Sequence, residues 1–264
     1  MRTTYIFLAL FVVITVLYVT GIVTLNQELA TNKARITDLT RQTVYLAAPQ
    51  DVTEIEIDSR IRGTPPRSWQ ATSALGAIQS ALIEYPERLL RKSGPALVVA
   101  GDVSLLDVEV GGTIQTPNVI ILATGYLLGG LGTADLKRTF HHEYSSILMR
   151  QYAFPLEAWY DALPEGFSFP ETEGQRLAAT QVYADDLAVY HRLGFVSDYG
   201  VSSFENDVNT YAELLMGDPA RLKRLSDEHA NIRIKKELIL KYYIGIDSDF
   251  LEHFRNAGIL DQSE

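Results

Sequence analysis

The hydrophobic pattern of the first 42 residues sets them apart from the rest of the chain. The stretch from Tyr5 to Leu25 carries no charged side chain and is rich in Ile, Leu, Val and Phe. At about 1.5 Å per residue, a helix of this length spans roughly 30 Å, which is the thickness of a bilayer core. Val19-Thr20-Gly21 resembles a weak signal-peptidase site, but the apolar run continues beyond it. We therefore predict an uncleaved, single-pass anchor over residues 1–25, followed by a polar stalk over residues 26–42.

The pattern from residue 43 to residue 264 is typical of one domain that mixes strands and helices. Ala96–Ala100 and Asn118–Ala123 are short apolar runs bounded by turn residues, and they predict buried strands. Apolar residues recur at helical spacing around residues 69–92 and 133–152, and again after Ser203. This order predicts an α+β fold with a small mixed sheet, a central helix and a helical C-terminal half.

Composition narrows the chemistry that this domain can perform. The chain has 264 residues, a net charge of −10 and no cysteine. The absence of cysteine excludes a thiol nucleophile, a thiolate metal site and a disulfide framework. The acidic balance, with no basic cluster to interrupt it, argues against a nucleic-acid partner.

One predicted helix carries residues typical of a zinc site. It contains Thr139-Phe-His-His-Glu-Tyr-Ser-Ser-Ile-Leu148, in which His142 and Glu143 fit the first two positions of the His-Glu-x-x-His motif. In that motif two histidines four residues apart share one helix face and reach a single ion, while the glutamate takes a proton from the metal-bound water. The second histidine should stand at position 146, where this chain has Ser146. Because a neutral hydroxyl is a poor zinc ligand, the sequence predicts a protease fold without a complete protease site.

Together with two downstream stretches, this helix gives the chain a family resemblance. The stretches are Gly194–Tyr199 and Ser203–Asp207, the second of which opens a predicted helix. With them, the chain resembles the zincin-fold (gluzincin-like) zinc metallopeptidases of bacterial envelopes over roughly residues 70–255. The resemblance implies a zincin-like domain, zinc as cofactor, His142 and Glu205 as metal ligands, and Glu143 as the catalytic base.

Each of these residues also has an alternative role. His142 is otherwise a hydrogen-bonded histidine, and Glu205 a first-turn acid that complements a helix dipole. Asp207 either orients His142 or adds to the same dipole effect. His191 is the first residue to consider as a replacement ligand, although a surface role is also open. Adjacent helix positions point about 100° apart, so His141 is expected to pack rather than to chelate beside His142.

Two functions follow from these patterns. The first is a membrane-anchored metallopeptidase-like protein that hydrolyses peptides outside the cytoplasmic membrane if it binds a metal. The second is a catalytically degenerate zincin, a pseudoenzyme that binds a polypeptide or an envelope partner. Both functions place the C-terminal domain on the extracytoplasmic side of the cell membrane, with a peptide or protein as substrate or partner. The sequence leaves open whether the protein is an enzyme.

Overall fold

Two small β-sheets and a set of closely packed helices make up the part of the chain that the structure describes. The structure is a computed structural model, and it describes residues 43–45, 55–115, 117–125, 132–172, 175 and 188–260. The predicted anchor and stalk lie outside these residues. Within them, no helix has the length and apolar character needed to span a bilayer.

The first sheet is mixed and has the strand order β1-β4-β8-β7. Strands β1 (Thr43–Tyr45), β4 (Ala96–Ala100) and β8 (Val119–Ala123) run parallel to one another. Strand β7 (Gly112–Gln115) pairs antiparallel with β8 and forms the edge of the sheet. The two predicted apolar runs, β4 and β8, are therefore its central strands, as expected for short strands buried on both faces.

The second sheet consists of four very short antiparallel strands in the order β2-β3-β5-β6. They are β2 (Ile55–Glu56), β3 (Ile61–Gly63), β5 (Val103–Leu105) and β6 (Val108–Glu109). Its β3–β5 pair packs around Ile61 and Val103, in a small core shared with Ile121 of β8. The alternating stretch at residues 52–57 predicts a strand, and β2 lies within it. The sequence did not predict the other three strands, because runs of two or three residues are too short to show an alternating period.

Helices dominate the remainder of the described chain. Their bounds are α1 (Ser68–Leu82), α2 (Glu87–Ser93), α3 (Thr133–Gln151), α4 (Leu156–Asp161), α5 (Ala188–Leu193), α6 (Phe204–Gly217), α7 (Pro219–Glu228), α8 (Ala230–Ile246) and α9 (Asp249–Asn256). A 3-10 turn, Tyr199–Ser202, leads into α6. The coarse prediction of an α+β fold with a helical C-terminal half is confirmed.

Helix α3 is the centre around which these elements pack. Its apolar side, including Phe140, Tyr144 and Ile147, is fully buried. The opposite side is also buried, because α3 packs against α1 and α6 as well as against β7 and β8. Polar side chains on α3 therefore need partners within the protein, since a buried polar group without a hydrogen bond is costly.

The segment after α3 contains Pro155, Pro164, Gly166 and Pro170, a composition typical of an irregular loop. It contains the short helix α4, in which Trp159 is fully buried and packs edge-on against Tyr211 of α6. Tyr160 stacks on Phe204 at the start of α6. The aromatic residues thus fix this segment to the body of the domain.

Candidate functional site

A cavity of about 390 Å³ lies where α3, the start of α6 and edge strand β7 meet. His142, Glu143 and Ser146 of α3 line it, together with Glu205 and Asn206 of α6. The three residues predicted to form the site therefore reach one concavity beside a sheet edge, although more than sixty residues separate the two helices in sequence. Whether they act as ligands and base stays a prediction.

Gly112 allows β7 to lie directly against the motif helix. A Cβ atom at this position would stand 2.5 Å from Thr139 Cγ2, closer than real Cβ atoms come, and 3.0 Å from the Ile121 carbonyl oxygen, which is a tight contact. It would also lie 3.5 Å from Glu143 Oε1. The glycine therefore brings the backbone of β7 within reach of the Glu143 carboxylate.

Both ring nitrogens of His142 face protein oxygen atoms. Nδ1 lies 2.7 Å from Glu213 Oε1, and Nε2 lies 3.2 Å from Asn206 Oδ1. The amide of Asn206 is held in this orientation because its Nδ2 donates to Ser202 Oγ at 2.7 Å. Since a carboxylate and an amide oxygen both accept, this arrangement suits an imidazolium that donates from both nitrogens.

The charge on His142 follows from these contacts. Burial by itself would lower the pKa of His142, because it disfavours the cation. The hydrogen bond to Glu213 and the negative charge of nearby Glu143 outweigh that effect and raise the pKa to about 9. His142 is therefore protonated at neutral pH in this environment.

Ser146 is also occupied within the protein. Its hydroxyl accepts a hydrogen bond of 2.7 Å from Asn209 Nδ2, and both residues are almost fully buried. The pair lies one helical turn beyond His142 on α3 and one turn beyond Asn206 on α6. Two neutral side chains thus meet at the place where the zinc motif would have its second histidine.

Glu143 combines burial with an elevated pKa. Only 8% of its surface is exposed. Burial raises its pKa to about 7, the negative charges of Glu205 and Glu213 act in the same direction, and His142 opposes them. A carboxyl group with a pKa near neutrality is suited to accept and release protons, which is the property expected of a general base.

Glu205 lines the same cavity as His142, with its carboxylate partly exposed. Its Oε1 is 3.3 Å from Arg150 Nη2, and the two side chains are 44% and 40% exposed. It opens α6, whose N-cap is Ser203. Both the ligand role and the first-turn role therefore remain compatible with its position on the helix.

Asp207 does not orient His142, which was one of its two predicted roles. It is fully buried and forms an ion pair of 2.6 Å with Lys235 of α8. Trp159 Nε1 donates to the same carboxylate oxygen at 2.9 Å. Burial raises the pKa of Asp207 to about 6, against the opposing influence of Lys235. Its contacts fix α6 to α4 and α8.

The other two candidate histidines lie away from the cavity. His141 is fully buried, with its Nδ1 2.9 Å from the Tyr85 hydroxyl, so the prediction that it packs is confirmed. His191 lies near His229, with ring centroids 5.7 Å apart, and does not line the cavity. It is therefore not placed to replace the missing ligand.

Three residues that contact the site were given no role from the sequence: Asn206 and Asn209, which line the cavity, and Glu213, which pairs with His142. They share one face of α6 because they stand three and seven positions apart, which is helical spacing. That period was present in the sequence. It did not stand out, because Asn and Glu are common on solvated helix faces.

The side chains at the cavity do not fit a catalytic zinc site. Such a site needs three protein ligands with free electron pairs, and typical ligands are imidazole and carboxylate. His142 Nε2 instead faces an amide oxygen, and position 146 holds a hydroxyl that accepts from Asn209. Across the described ranges, no three His, Cys, Asp or Glu side chains converge to hold a metal ion.

Comparison with known proteins gives one structural neighbour and no match in sequence. No family model matches the chain, and no curated protein does. A crystal structure from Bacteroides caccae, named a "putative zinc-binding metallo-peptidase", aligns with a TM-score of 0.52 at 16% identity, over 88% of this chain and 95% of the other. This likeness supports the zincin-like fold predicted from the motif helix. At this identity it shows the fold alone.

Proposed function

We propose that this protein is a zincin-like polypeptide-binding protein that holds an extended peptide against strand β7 without cleaving it. The observation that carries the proposal is the edge position of β7 along a cavity lined by α3 and α6. A sheet edge offers unpaired backbone groups to another strand, and extended peptides are commonly recognised in this way.

The hydrogen-bond register of β7 identifies the groups that would meet the peptide. Ala123 N–H donates to the Gly111 carbonyl oxygen at 2.9 Å, so residues 111 and 123 form a hydrogen-bonded pair. These pairs alternate with non-bonded pairs along an antiparallel ladder, and Gly112 and Ile114 are paired with Leu122 and Ile120 in the non-bonded positions. Gly112 and Ile114 therefore direct their amide and carbonyl groups away from β8.

The walls of the cavity suit the side chains of a peptide. One wall is apolar and includes Ile61, Leu105 and Val110, while Arg150 and Glu205 form a polar mouth. A volume of about 390 Å³ lies within the range of small-ligand sites, roughly 300–1,000 Å³, so one or two side chains fit inside.

Binding without cleavage follows from the neutral residues at the site. Glu143 has the pKa of a base, but Ser146 and Asn206 supply a hydroxyl and an amide where zinc would need charged or imidazole ligands. Both are engaged in hydrogen bonds within the protein. These hydrogen bonds support a site that holds a peptide without a bound zinc to cleave it.

Binding of fluorescein-labelled β-casein, an unfolded polypeptide, tests the proposal. The full chain should raise its fluorescence anisotropy and release no fragments on a gel. Ile114→Pro removes an outward N–H without removing a ladder bond to β8, so it should weaken binding at least about tenfold. Ile114→Val keeps the N–H and should bind normally. Equal binding by both variants, with unchanged circular dichroism, would contradict the β7 assignment.

A second candidate function is metal-dependent peptide hydrolysis. The position of Glu143 beside His142, with a pKa near 7, favours it. It predicts one tightly held zinc per chain, and casein cleavage that Glu143→Gln abolishes. Zinc analysis of the unmodified chain after dialysis separates the two functions, because the binding function predicts much less than one zinc per chain.

The proposed location is the outer side of the cytoplasmic membrane, with residues 1–25 as an uncleaved anchor. The support is the uncharged run Tyr5–Leu25, which is long enough for a bilayer. A periplasmically active reporter fused after Glu264 should be active, and the intact chain should stay in the membrane fraction. Recovery of a soluble mature form that begins near Ile22 would show cleavage instead.

A further inference from the structure

We infer that Leu106, at the rim of the cavity, is a binding residue that contacts an apolar side chain of the polypeptide held along β7. The inference rests on the proposed function and extends it, because it names the class of side chain that the site selects and the residue that selects it. Its support comes from the β5–β6 hairpin, which combines an unfavourable backbone conformation with an exposed apolar side chain next to the cavity.

The turn between β5 and β6 has a left-handed backbone. Leu106 and Asp107 form this two-residue connection, with φ angles of 51° and 64°. Among the described residues, they are the only two with positive φ that are not glycine. Asn, Asp and Gly adopt this conformation most readily in such hairpin turns, whereas the bulky side chain of leucine is disfavoured there. Position 106 therefore costs the protein folding free energy.

The neighbouring strand β3 holds the turn in this conformation. Leu106 N–H donates to the Arg60 carbonyl oxygen at 2.8 Å, just before β3 begins. Asp107 Oδ1 lies 3.3 Å from Arg62 Nη1 within β3. Left-handed residues other than glycine persist where the surrounding structure fixes them, and they cluster at functional sites. The structure thus keeps a disfavoured residue in a defined place.

Leu106 gains little burial in return for this cost, because 41% of its surface is exposed. A single exposed leucine is ordinary on a protein surface, so exposure alone would indicate nothing. Here the exposed leucine coincides with the left-handed backbone, and asparagine would suit both the turn and the solvent better. A residue that contradicts two local preferences at once is expected at a functional site.

The hairpin is placed to meet a polypeptide that lies along β7. Leu105, which precedes Leu106, and Arg60, whose carbonyl oxygen accepts from it, both line the cavity. Gly112, the first residue of β7, follows a short distance along the chain. At about 3.3 Å per residue, a peptide that leaves β7 at Gly112 reaches Leu106 within about six extended residues. An apolar side chain at that point would remove the exposed leucine from water.

Anisotropy of labelled β-casein with the full chain separates a binding role from a packing role. Leu106→Asn should weaken binding at least about tenfold, as expected for the loss of a contact residue. It should leave the melting temperature unchanged or higher, because asparagine adopts the left-handed conformation more readily than leucine. Leu106→Met, which keeps an apolar side chain, should recover most of the affinity.

Ile83→Asn is the matched control. Ile83 is 47% exposed, has an ordinary helical backbone with φ −62°, and does not line the cavity. Its replacement removes a similar exposed apolar side chain and should leave casein binding unchanged. An equal loss of binding in both variants would mean that casein responds to surface hydrophobicity in general, and the inference would be wrong.

Two short labelled peptides of equal length, flanked by lysine for solubility, test the class of side chain. One alternates threonine with leucine and the other threonine with glutamine. The unmodified chain should prefer the leucine peptide at least about tenfold, since a buried leucine side chain is worth that much in affinity. Leu106→Asn should reduce the preference. An unchanged preference would mean that another residue selects the side chain.

The outcomes distinguish this inference from the proposed function. Casein binding by Leu106→Asn equal to that of the unmodified chain would overturn the inference and leave the β7 assignment standing. A melting temperature lowered by more than about 4 °C would also overturn it, because Leu106 would then be a packing residue. Failure of the unmodified chain to bind casein would overturn the proposed function, and the inference with it.

Discussion

Removal of Lys235 should destabilise the domain more than removal of any surface charge. Its ammonium group is fully buried and lies 2.6 Å from Asp207 Oδ2, and it also donates to the Gly194 carbonyl oxygen at 3.0 Å. Lys235→Met keeps most of the aliphatic stem but leaves the Asp207 carboxylate buried beside a single donor, Trp159. Breaking one side of a buried ion pair costs about 3–5 kcal/mol.

Urea unfolding followed by circular dichroism measures this cost. In a domain of this size each kcal/mol corresponds to about 2–4 °C, so the melting temperature should fall by about 6–20 °C. Lys235→Met/Asp207→Asn should recover most of the loss, because no unpaired charge is then buried. The exposed pair of Arg150 and Glu205 is the control, since removing it should cost at most about 1 kcal/mol.

The pH dependence of the unfolding free energy tests the role of the Lys235–Asp207 ion pair independently. Burial already raises the pKa of Asp207 to about 6 with Lys235 present, and the pKa should rise further when Lys235 is removed. A carboxyl group with a raised folded-state pKa is destabilising when ionised, so the deficit of Lys235→Met should shrink as the pH falls towards 5. A loss below about 1 kcal/mol, or a deficit independent of pH, would refute the account.

Two further predictions concern the site and the sheet. The pKa of His142 is raised to about 9, so its contribution to stability is present below pH 6.5 and is lost as the pH rises through 9. Glu213→Gln should make stability fall less steeply as the pH rises, and it should lower the midpoint of the His142 ring titration measured by NMR. An unchanged midpoint would contradict the contact between His142 and Glu213. Gly101→Ala should destabilise by about 1–3 kcal/mol in urea unfolding, because its Cβ would lie 2.5 Å from Thr64 Oγ1. Gly76→Ala, which meets nothing within 4 Å, should be neutral or stabilising, and an equal loss for both would refute the steric argument.

The sequence by itself determined the elements that depend on local patterns. Helical periodicity predicted α3 and placed His142 and Ser146 on one face of it, since the geometry of a helix is set by neighbouring residues. The apolar runs of β4 and β8 predicted buried strands for a similar reason, and the structure places them at the centre of the first sheet. The resemblance to zincins added the expectation that Glu205 reaches the cavity of His142, and the structure brings it there.

Only the tertiary structure decided what each polar residue of the site contacts. The rotation of α6 about its axis turns Asn206 towards His142 and Asp207 towards Lys235, although the two residues are adjacent in the chain. That rotation is fixed by packing against α3, α4 and α8, and no local pattern encodes it. Glu213 pairs with His142 across 71 positions for the same reason. The sequence thus determined that α3 carries the motif. The packing of α6 against α3 decided that the amide side chains of Asn206 and Asn209 contact His142 and Ser146.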